Sequence, residues 1–231
     1  MKTIGIIGGM SWESTKLYYE FINEKIKSDL GGFHSCKCLI NSVDFAEIQK
    51  LQSEDAWDAL DIIMSEAAMS LEKGGAEFII LATNTMHLCV DAIIKSINIP
   101  FLHIAEATAM AIKTKELKKV ALLGTKFTME KDFYKKILSN NDIEVIIPNE
   151  EDRNIIHNTI FGELVKGIFN NTSIDKFKKI IKRLEAEGAQ GITLGCTELP
   201  LLISQKDVDI EVFDTSRIHA EKAVEMALRE I

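Results

Sequence analysis

The sequence of 231 residues has little proline and no surplus of positive charge. Its three prolines, Pro100, Pro148 and Pro200, leave no Pro-rich stretch that would form a linker. Lysine and arginine total 27 against 35 aspartates and glutamates, so the formal net charge is −8. Because phosphate groups bind surplus positive charge, this balance argues against a nucleic acid or an anionic membrane surface as the partner.

Long apolar runs are also missing. No run approaches the roughly 20 residues that a membrane-spanning helix requires. The apolar segment near the N-terminus stops at Gly8 and Gly9, too early for a signal peptide. We therefore expect a globular protein of the cytoplasm, where the thiols of its four cysteines stay reduced.

Two of the cysteines invite a metal interpretation. His34, Cys36 and Cys38 alternate with other residues, so we expect them to share one face of a strand. Zinc sites need three or four ligands, and the usual C-x-x-C partner is missing here. We predict a packed strand and no metal site.

Short apolar runs alternate with longer amphipathic stretches. This pattern is typical of βαβ units, in which helices cover both faces of a parallel sheet. The predicted strands are residues 3–7, 37–43, 77–81, 119–123, 144–147, 191–194 and 212–213. The predicted helices are residues 12–27, 55–73, 88–97, 127–139, 151–161, 174–187 and 216–229.

Two segments recur along the chain. Residues 75–85 resemble 188–198 at an offset of 113 positions, and residues 3–8 resemble 119–124 at an offset of 116. Either pair alone is ambiguous, but two pairs in the same order favour a duplication. The sequence therefore predicts an α/β fold of two similar halves, each with a mainly parallel sheet, pseudo-symmetric about a central cleft. Residues 1–104 plus 214–231 would form one half and residues 105–213 the other.

Polar turns follow four of the predicted strands. In open parallel sheets, ligands bind beyond the carboxyl ends of the strands, so these turns are candidate binding segments. They are residues 8–14, 83–87, 124–128 and 195–198. If the two halves face each other, the four turns line one cleft.

The first turn reads Gly8-Gly9-Met10-Ser11 and opens a predicted helix. Its spacing fits neither a dinucleotide-binding fingerprint nor a phosphate-binding P-loop. Backbone N–H groups at a helix N-terminus favour a small anion such as a carboxylate. The alternative is a tight turn in which Ser11 or Ser14 simply caps the helix.

Cys196 lies in Gly-Cys-Thr-Glu, between a buried-strand pattern and a predicted short helix. Nearby backbone N–H groups and the helix dipole favour a thiolate, which indicates a reactive cysteine; a buried structural thiol is the alternative. Structural or solvated positions are the simpler interpretation of the other candidates, namely Gln52 in a predicted loop, Cys89, Lys166 and the histidines at 87, 103, 157 and 219.

With Gly-Gly-Met-Ser, Thr-Asn-Thr-Met-His and Gly-Cys-Thr-Glu in this order, the sequence resembles the aspartate/glutamate racemase family over the whole chain. The resemblance implies two similar α/β halves, often in a homodimer. It also implies an isomerase that uses no pyridoxal phosphate, metal or other cofactor. Such an enzyme removes the Cα proton of a free amino acid from one face and returns a proton to the other.

The family uses two cysteines for these steps. The resemblance assigns one to Cys196, whereas the position of the other is occupied by Thr83. Because a hydroxyl is a far weaker acid than a thiol, we expect Cys196 to abstract the proton and the Thr83 side to return one. In the family the second cysteine serves the L-enantiomer, which implies a bias to L-substrates.

The same resemblance implies the substrate-binding residues. Lys166 aligns with a family lysine that pairs with the side-chain carboxylate of aspartate, and Gln52 stands where some members place an arginine. Aspartate is therefore the expected substrate, with glutamate second and a broader range open. The matching positions are Met10, Ser11, Gln52, Asn84, Thr85, Thr125, Lys166 and Thr197.

Two other functions stay open from the sequence. Decarboxylases of the same superfamily need only one cysteine, which protonates the carbanion left by loss of CO2. A protein that has lost its first base could also bind an amino acid without turning it over.

Overall fold

A computed structural model describes residues 1–229 of the chain. It contains two compact units, residues 1–104 with 219–229, and residues 105–218. The sequence places the return to the first half at residue 214, whereas the structure has it inside the last helix.

The first unit is built on a parallel sheet. Its strands are β1 (Ile4–Gly8), β2 (Cys38–Ser42) and β3 (Phe78–Leu81), in the order β2-β1-β3. Its helices are α1 (Trp12–Leu30), α2 (Phe45–Ser53), α3 (Trp57–Lys73) and α4 (Val90–Ser96), with a 3₁₀ turn at Thr85–Cys89. The alternation of side chains along a strand sends successive residues to opposite faces. Accordingly, Ile79 packs on the α3 side of the sheet, whereas Ile80 packs with Tyr18 of α1.

The second unit has a four-stranded parallel sheet. Its strands are β4 (Lys119–Gly124), β5 (Glu144–Ile146), β6 (Gly191–Gly195) and β7 (Glu211–Asp214), in the order β5-β4-β6-β7. Its helices are α5 (Ile104–Thr114), α6 (Lys126–Glu130), α7 (Asp132–Asn140), α8 (Glu150–Gly162), α9 (Asn171–Ala186), α10 (Leu199–Leu202) and the start of α11 (Thr215–Leu228). Two 3₁₀ turns lie at Leu164–Lys166 and Gln205–Asp207.

The predicted fold class is confirmed, since both sheets are parallel and flanked by helices. Some local predictions are wrong. Gln52 lies in α2 rather than in a loop, because the Asp44 carboxylate caps that helix by accepting from the N–H of Ala46 at 3.0 Å. Helix α5 was not predicted at all, and the helix predicted at residues 127–139 is two helices separated at Lys131.

The strand predicted from residue 37 begins at Cys38, so His34 and Cys36 precede it, although the side chains of Cys36 and Cys38 pack against the same core. The parallel pairing of β2 with β1 starts at Cys38, opposite Ile4. Within residues 1–229 no group of three or more His, Cys, Asp or Glu side chains is arranged to hold a metal ion. In the same part of the chain, no helix has the length and hydropathy needed to cross a bilayer.

Candidate active site

In the first unit, two polar turns lie at one edge of the sheet. β1 and β3 are parallel neighbours, with Ile7 opposite Leu81, so the turns that follow them project from the same edge. Helix α2 brings Gln52 to this edge, where its amide nitrogen lies 3.0 Å from the sulfur of Met86. The structure therefore gathers two of the four predicted binding segments, together with Gln52, within one unit.

The turn after β1 is held tightly. Gly9 has φ +93°, and a Cβ atom there would lie 2.2 Å from the carbonyl oxygen of Val43. The Gly9 N–H donates to the Thr15 hydroxyl (2.8 Å), which donates to the Ser11 carbonyl (3.0 Å). The Ser11 side chain accepts from the N–H of Ser14 at 3.4 Å and caps α1. The helix-cap interpretation is confirmed, and an anion at Met10 and Ser11 stays a prediction.

The segment after β3 is fixed by a histidine. Thr83 is partly exposed, and its carbonyl accepts from Nδ1 of the buried His87 at 2.8 Å. Because Nδ1 carries the proton, Nε2 of His87 accepts the N–H of Ile104 at 3.2 Å. Burial and the nearby His103 and His219 lower the pKa of His87, so this ring is neutral. The structural role predicted for His87 is confirmed, and it orients the backbone at Thr83.

In the second unit, the turns after β4 and β6 are adjacent. Gly124 pairs with Gly195, and a Cβ on Gly124 would lie 2.9 Å from the Gly195 carbonyl oxygen. Thr125 is buried, and its hydroxyl caps α6 by accepting from the N–H of Thr128 at 3.3 Å. The two glycines therefore let the turn that carries Thr125 approach the turn that carries Cys196.

Cys196 directly follows β6 and is paired with a carboxylate. Its thiol donates to Oε2 of Glu198 at 2.8 Å, and the Thr197 hydroxyl donates to the same oxygen at 2.8 Å. Sequence reasoning did not single out Glu198, although a carboxylate two residues from a cysteine is a usable signal. Thr197 is buried, whereas Cys196 and Glu198 are partly exposed.

The surroundings of the Cys196 sulfur in the structure favour the neutral thiol over the thiolate. Burial raises the pKa of this thiol well above its ordinary value, and the charge of Glu198 raises it further. Hydrogen bonds from the N–H groups of Glu198 and Thr197 lower the pKa by less. The helix that follows is only Leu199–Leu202, so its dipole is weak beside a full negative charge.

Lys166 lies in the 3₁₀ turn after α8, and its side chain is exposed. Its neighbours Val165, Ile168 and Phe169 are also exposed. This exposed position agrees with the interpretation of Lys166 as a solvated surface residue. Pairing of Lys166 with a substrate carboxylate stays a prediction.

A thiol hydrogen-bonded to a carboxylate at the carboxyl end of a parallel strand lies where α/β proteins bind ligands, and it has the groups needed for proton transfer. Comparison with known proteins makes the assignment specific. The family model of the Asp/Glu/hydantoin racemases matches residues 7–223. The chain belongs to this family.

Three relatives illustrate the match. A candidate Asp/Glu racemase from Yersinia pestis is 48% identical in its crystal structure, with 99% of this chain and 100% of that chain covered and a TM-score of 0.95. An aspartate racemase homologue from Pyrococcus horikoshii OT3 is 40% identical, with 99% and 100% covered and a TM-score of 0.88. The broad specificity amino-acid racemase RacX of Bacillus subtilis is 25% identical, with 96% of each chain covered.

These relatives confirm the resemblance that the three motifs indicate. The protein is an amino-acid racemase of this family and hence an isomerase. Of the three functions considered from the sequence, racemisation is the one that the comparisons support.

Proposed function

We propose that this racemase acts on acidic amino acids, with aspartate preferred, and uses no cofactor. Cys196 removes the Cα proton of the L-enantiomer, and a proton returns through Thr83. The observation that supports this proposal is the 2.8 Å hydrogen bond from the Cys196 thiol to Glu198. It gives the thiol a base to which its own proton can move before it attacks the substrate.

The reaction starts from a neutral thiol. Glu198 accepts the Cys196 proton, and the resulting thiolate takes the Cα proton, leaving a carbanion. The raised pKa of Cys196 makes the thiolate scarce, but it also makes each thiolate a stronger base. A strong base is required here, because the Cα–H of an amino acid is a very weak acid.

Return of the proton through Thr83 makes the enzyme asymmetric. A hydroxyl passes a proton, or orients a water that does, to a strongly basic carbanion. The same hydroxyl is almost never ionised at neutral pH, so it abstracts a Cα proton poorly. The hydrogen bond from His87 to the Thr83 carbonyl holds this residue in place.

Polar side chains and one cation account for the substrate preference. Asn84, Thr85 and Thr197 would hold the α-carboxylate and amino group, together with backbone at Met10 and Ser11. The exposed Lys166 supplies a positive charge for the side-chain carboxylate. Gln52 offers an amide where a guanidinium would give a bidentate contact, which loosens the discrimination between aspartate and glutamate.

Deuterium exchange tests this proposal. The two enantiomers have equal free energies, so kcat/KM for racemisation is the same in both directions and cannot reveal the asymmetry. Incorporation of deuterium at Cα, followed separately from L- and D-aspartate in D2O, can reveal it. We expect exchange from L-aspartate to be at least about tenfold faster, a difference of about 1.4 kcal/mol in barrier height.

Glutamate and alanine serve as comparison substrates in the same assay. Alanine, which lacks the side-chain carboxylate, should exchange most slowly. Equal initial exchange from both enantiomers of aspartate would contradict the assigned roles of Cys196 and Thr83.

A further inference from the structure

The segment that leads into β2 carries a pair of thiols that the racemisation proposed above does not use. Cys36 precedes the strand and Cys38 is its first residue, and their sulfur atoms lie 3.5 Å apart. Both side chains are partly buried against the core that includes Tyr18 and Ile22 of α1. The two sulfurs are therefore close enough to react with each other.

Asn23 of α1 holds Cys36 at two points. Its Oδ1 accepts the N–H of Cys36 at 2.9 Å, and its Nδ2 donates to the Cys36 sulfur at 3.2 Å. Nδ2 also donates to the carbonyl of Tyr19 at 2.7 Å, so both of its hydrogens are used and the amide orientation is defined. A donor aimed at a sulfur atom stabilises the thiolate form of that sulfur.

The two thiols are unequal. The hydrogen bond with Cys38 and the amide of Asn23 lower the pKa of Cys36 to about 7, although burial opposes them. The same hydrogen bond and burial raise the pKa of Cys38. Burial raises the pKa of Cys89 and of Cys196, so both are neutral thiols at pH 7. Of the four cysteines, Cys36 therefore has the most thiolate at neutral pH.

We propose that Cys36 and Cys38 form a site of reversible oxidation by hydroperoxides, in which Cys36 is the attacking sulfur and Cys38 the resolving one. The Cys36 thiolate attacks one peroxide oxygen, the O–O bond breaks, and the products are a sulfenic acid and, after proton uptake, water. The Cys38 thiol then attacks the sulfenic sulfur, forming the S–S bond and releasing a second water. Two thiols and one hydrogen peroxide thus give one disulfide and two waters, and the peroxide takes the two electrons.

Closing the disulfide needs a small movement. The sulfurs must approach from 3.5 Å to about 2.05 Å. Cys38 is held by the pairing of β2 with β1, opposite Ile4. Cys36 lies in a segment without regular secondary structure that follows the exposed residues 32–35. We therefore expect Cys36, rather than Cys38, to move when the disulfide forms.

Mass spectrometry of the full chain tests the proposal. The protein is treated with hydrogen peroxide at pH 7, and the peptides that contain each cysteine are followed over time. We expect the Cys36–Cys38 peptide to lose two hydrogens at least about tenfold faster than Cys89 or Cys196 is oxidised, because the hydrogen bond from Asn23 favours the Cys36 thiolate and a second sulfur lies 3.5 Å away. A thiol reductant should restore it. Oxidation no faster than at Cys89, or oxygen addition without a disulfide, would overturn the proposal.

Variants separate the two sulfurs. Cys38→Ser should leave a sulfenic acid at Cys36 that a 1,3-diketone traps, and Cys36→Ser should give neither disulfide nor trapping. Asn23→Ala should slow the reaction several-fold and move the midpoint of Cys36 alkylation to higher pH. Asn158→Ala, a change at an exposed helical asparagine, is the matched control and should alter neither quantity. Trapping at Cys38 in the Cys36→Ser variant, or an unaltered midpoint in Asn23→Ala, would contradict the roles assigned.

Discussion

At the scale of single residues, the chemistry depends on what lies within hydrogen-bond distance of Cys196. The sequence motif identified the thiol, but its protonation state depends on where the Glu198 side chain lies. The carboxylate points at the sulfur, and this geometry favours a neutral thiol where the sequence favours a thiolate. Residue type could therefore be predicted, whereas the pKa of the site could not.

Thr83 permits a residue-scale prediction. Thr83→Cys replaces a hydroxyl by a thiol, whose ordinary pKa of about 8.5 allows proton abstraction. We expect deuterium exchange from D-aspartate to rise by about tenfold or more and to approach that from L-aspartate. Thr83→Val is the isosteric control, and it should slow inversion while L-exchange continues. If D-exchange in the cysteine variant equals that of the parent, Thr83 does not occupy the proton-transfer position.

At the scale of elements, every predicted strand is present, because buried parallel strands leave near-continuous apolar runs in the sequence. Helices α2 and α5 were not predicted from the sequence. Helix α2 is short, and its start depends on the Asp44 cap rather than on a strong apolar period. The use of Ser11 and Thr125 as caps likewise depends on local geometry that residue type alone leaves open.

The turn after β1 gives a prediction at this scale. Gly9→Ala should destabilise the protein by about 3 kcal/mol or more, because the methyl group meets the Val43 backbone in addition to the cost of a positive φ. Gly75 has a similar φ of +98° but no atom within 4 Å of an added Cβ, so Gly75→Ala should cost only about 1–2 kcal/mol. Urea unfolding measures both. Equal losses would mean that the tight approach of Gly9 to Val43 is absent in solution.

At the scale of the whole molecule, buried histidines link stability to pH. Nε2 of His219 donates to the Leu102 carbonyl at 2.9 Å, so Nδ1 accepts from the Tyr18 hydroxyl. Burial lowers the pKa of His219 to about 4 and that of His103 to about 3, and it also lowers the pKa of His87. In the unfolded chain each histidine has a pKa of about 6.5 and takes up a proton that the folded protein resists.

The direction in which stability changes with pH follows from these lowered pKa values. The unfolding free energy should be at its full value above about pH 6.5 and should fall as the pH drops towards 4. The loss is at most about 2 kcal/mol per buried imidazole at pH 5. In denaturant titrations at several pH values, His219→Gln should lower the slope of the unfolding free energy against pH by up to about one proton, whereas Asn158→Ala, a change at an exposed residue that does not titrate, should leave the slope unchanged. A flat profile from pH 7 to pH 5 would contradict the neutral, buried histidines.

The measurement that tests the central claim most directly is Cα deuterium incorporation from L-aspartate by the Cys196→Ser variant. Serine keeps the hydrogen bond to Glu198 but cannot supply a thiolate, so the rate should fall by about a thousandfold or more. Cys36→Ser, at a thiol that takes no part in racemisation, should keep the parent rate. Exchange at the parent rate in Cys196→Ser would show that another group removes the proton.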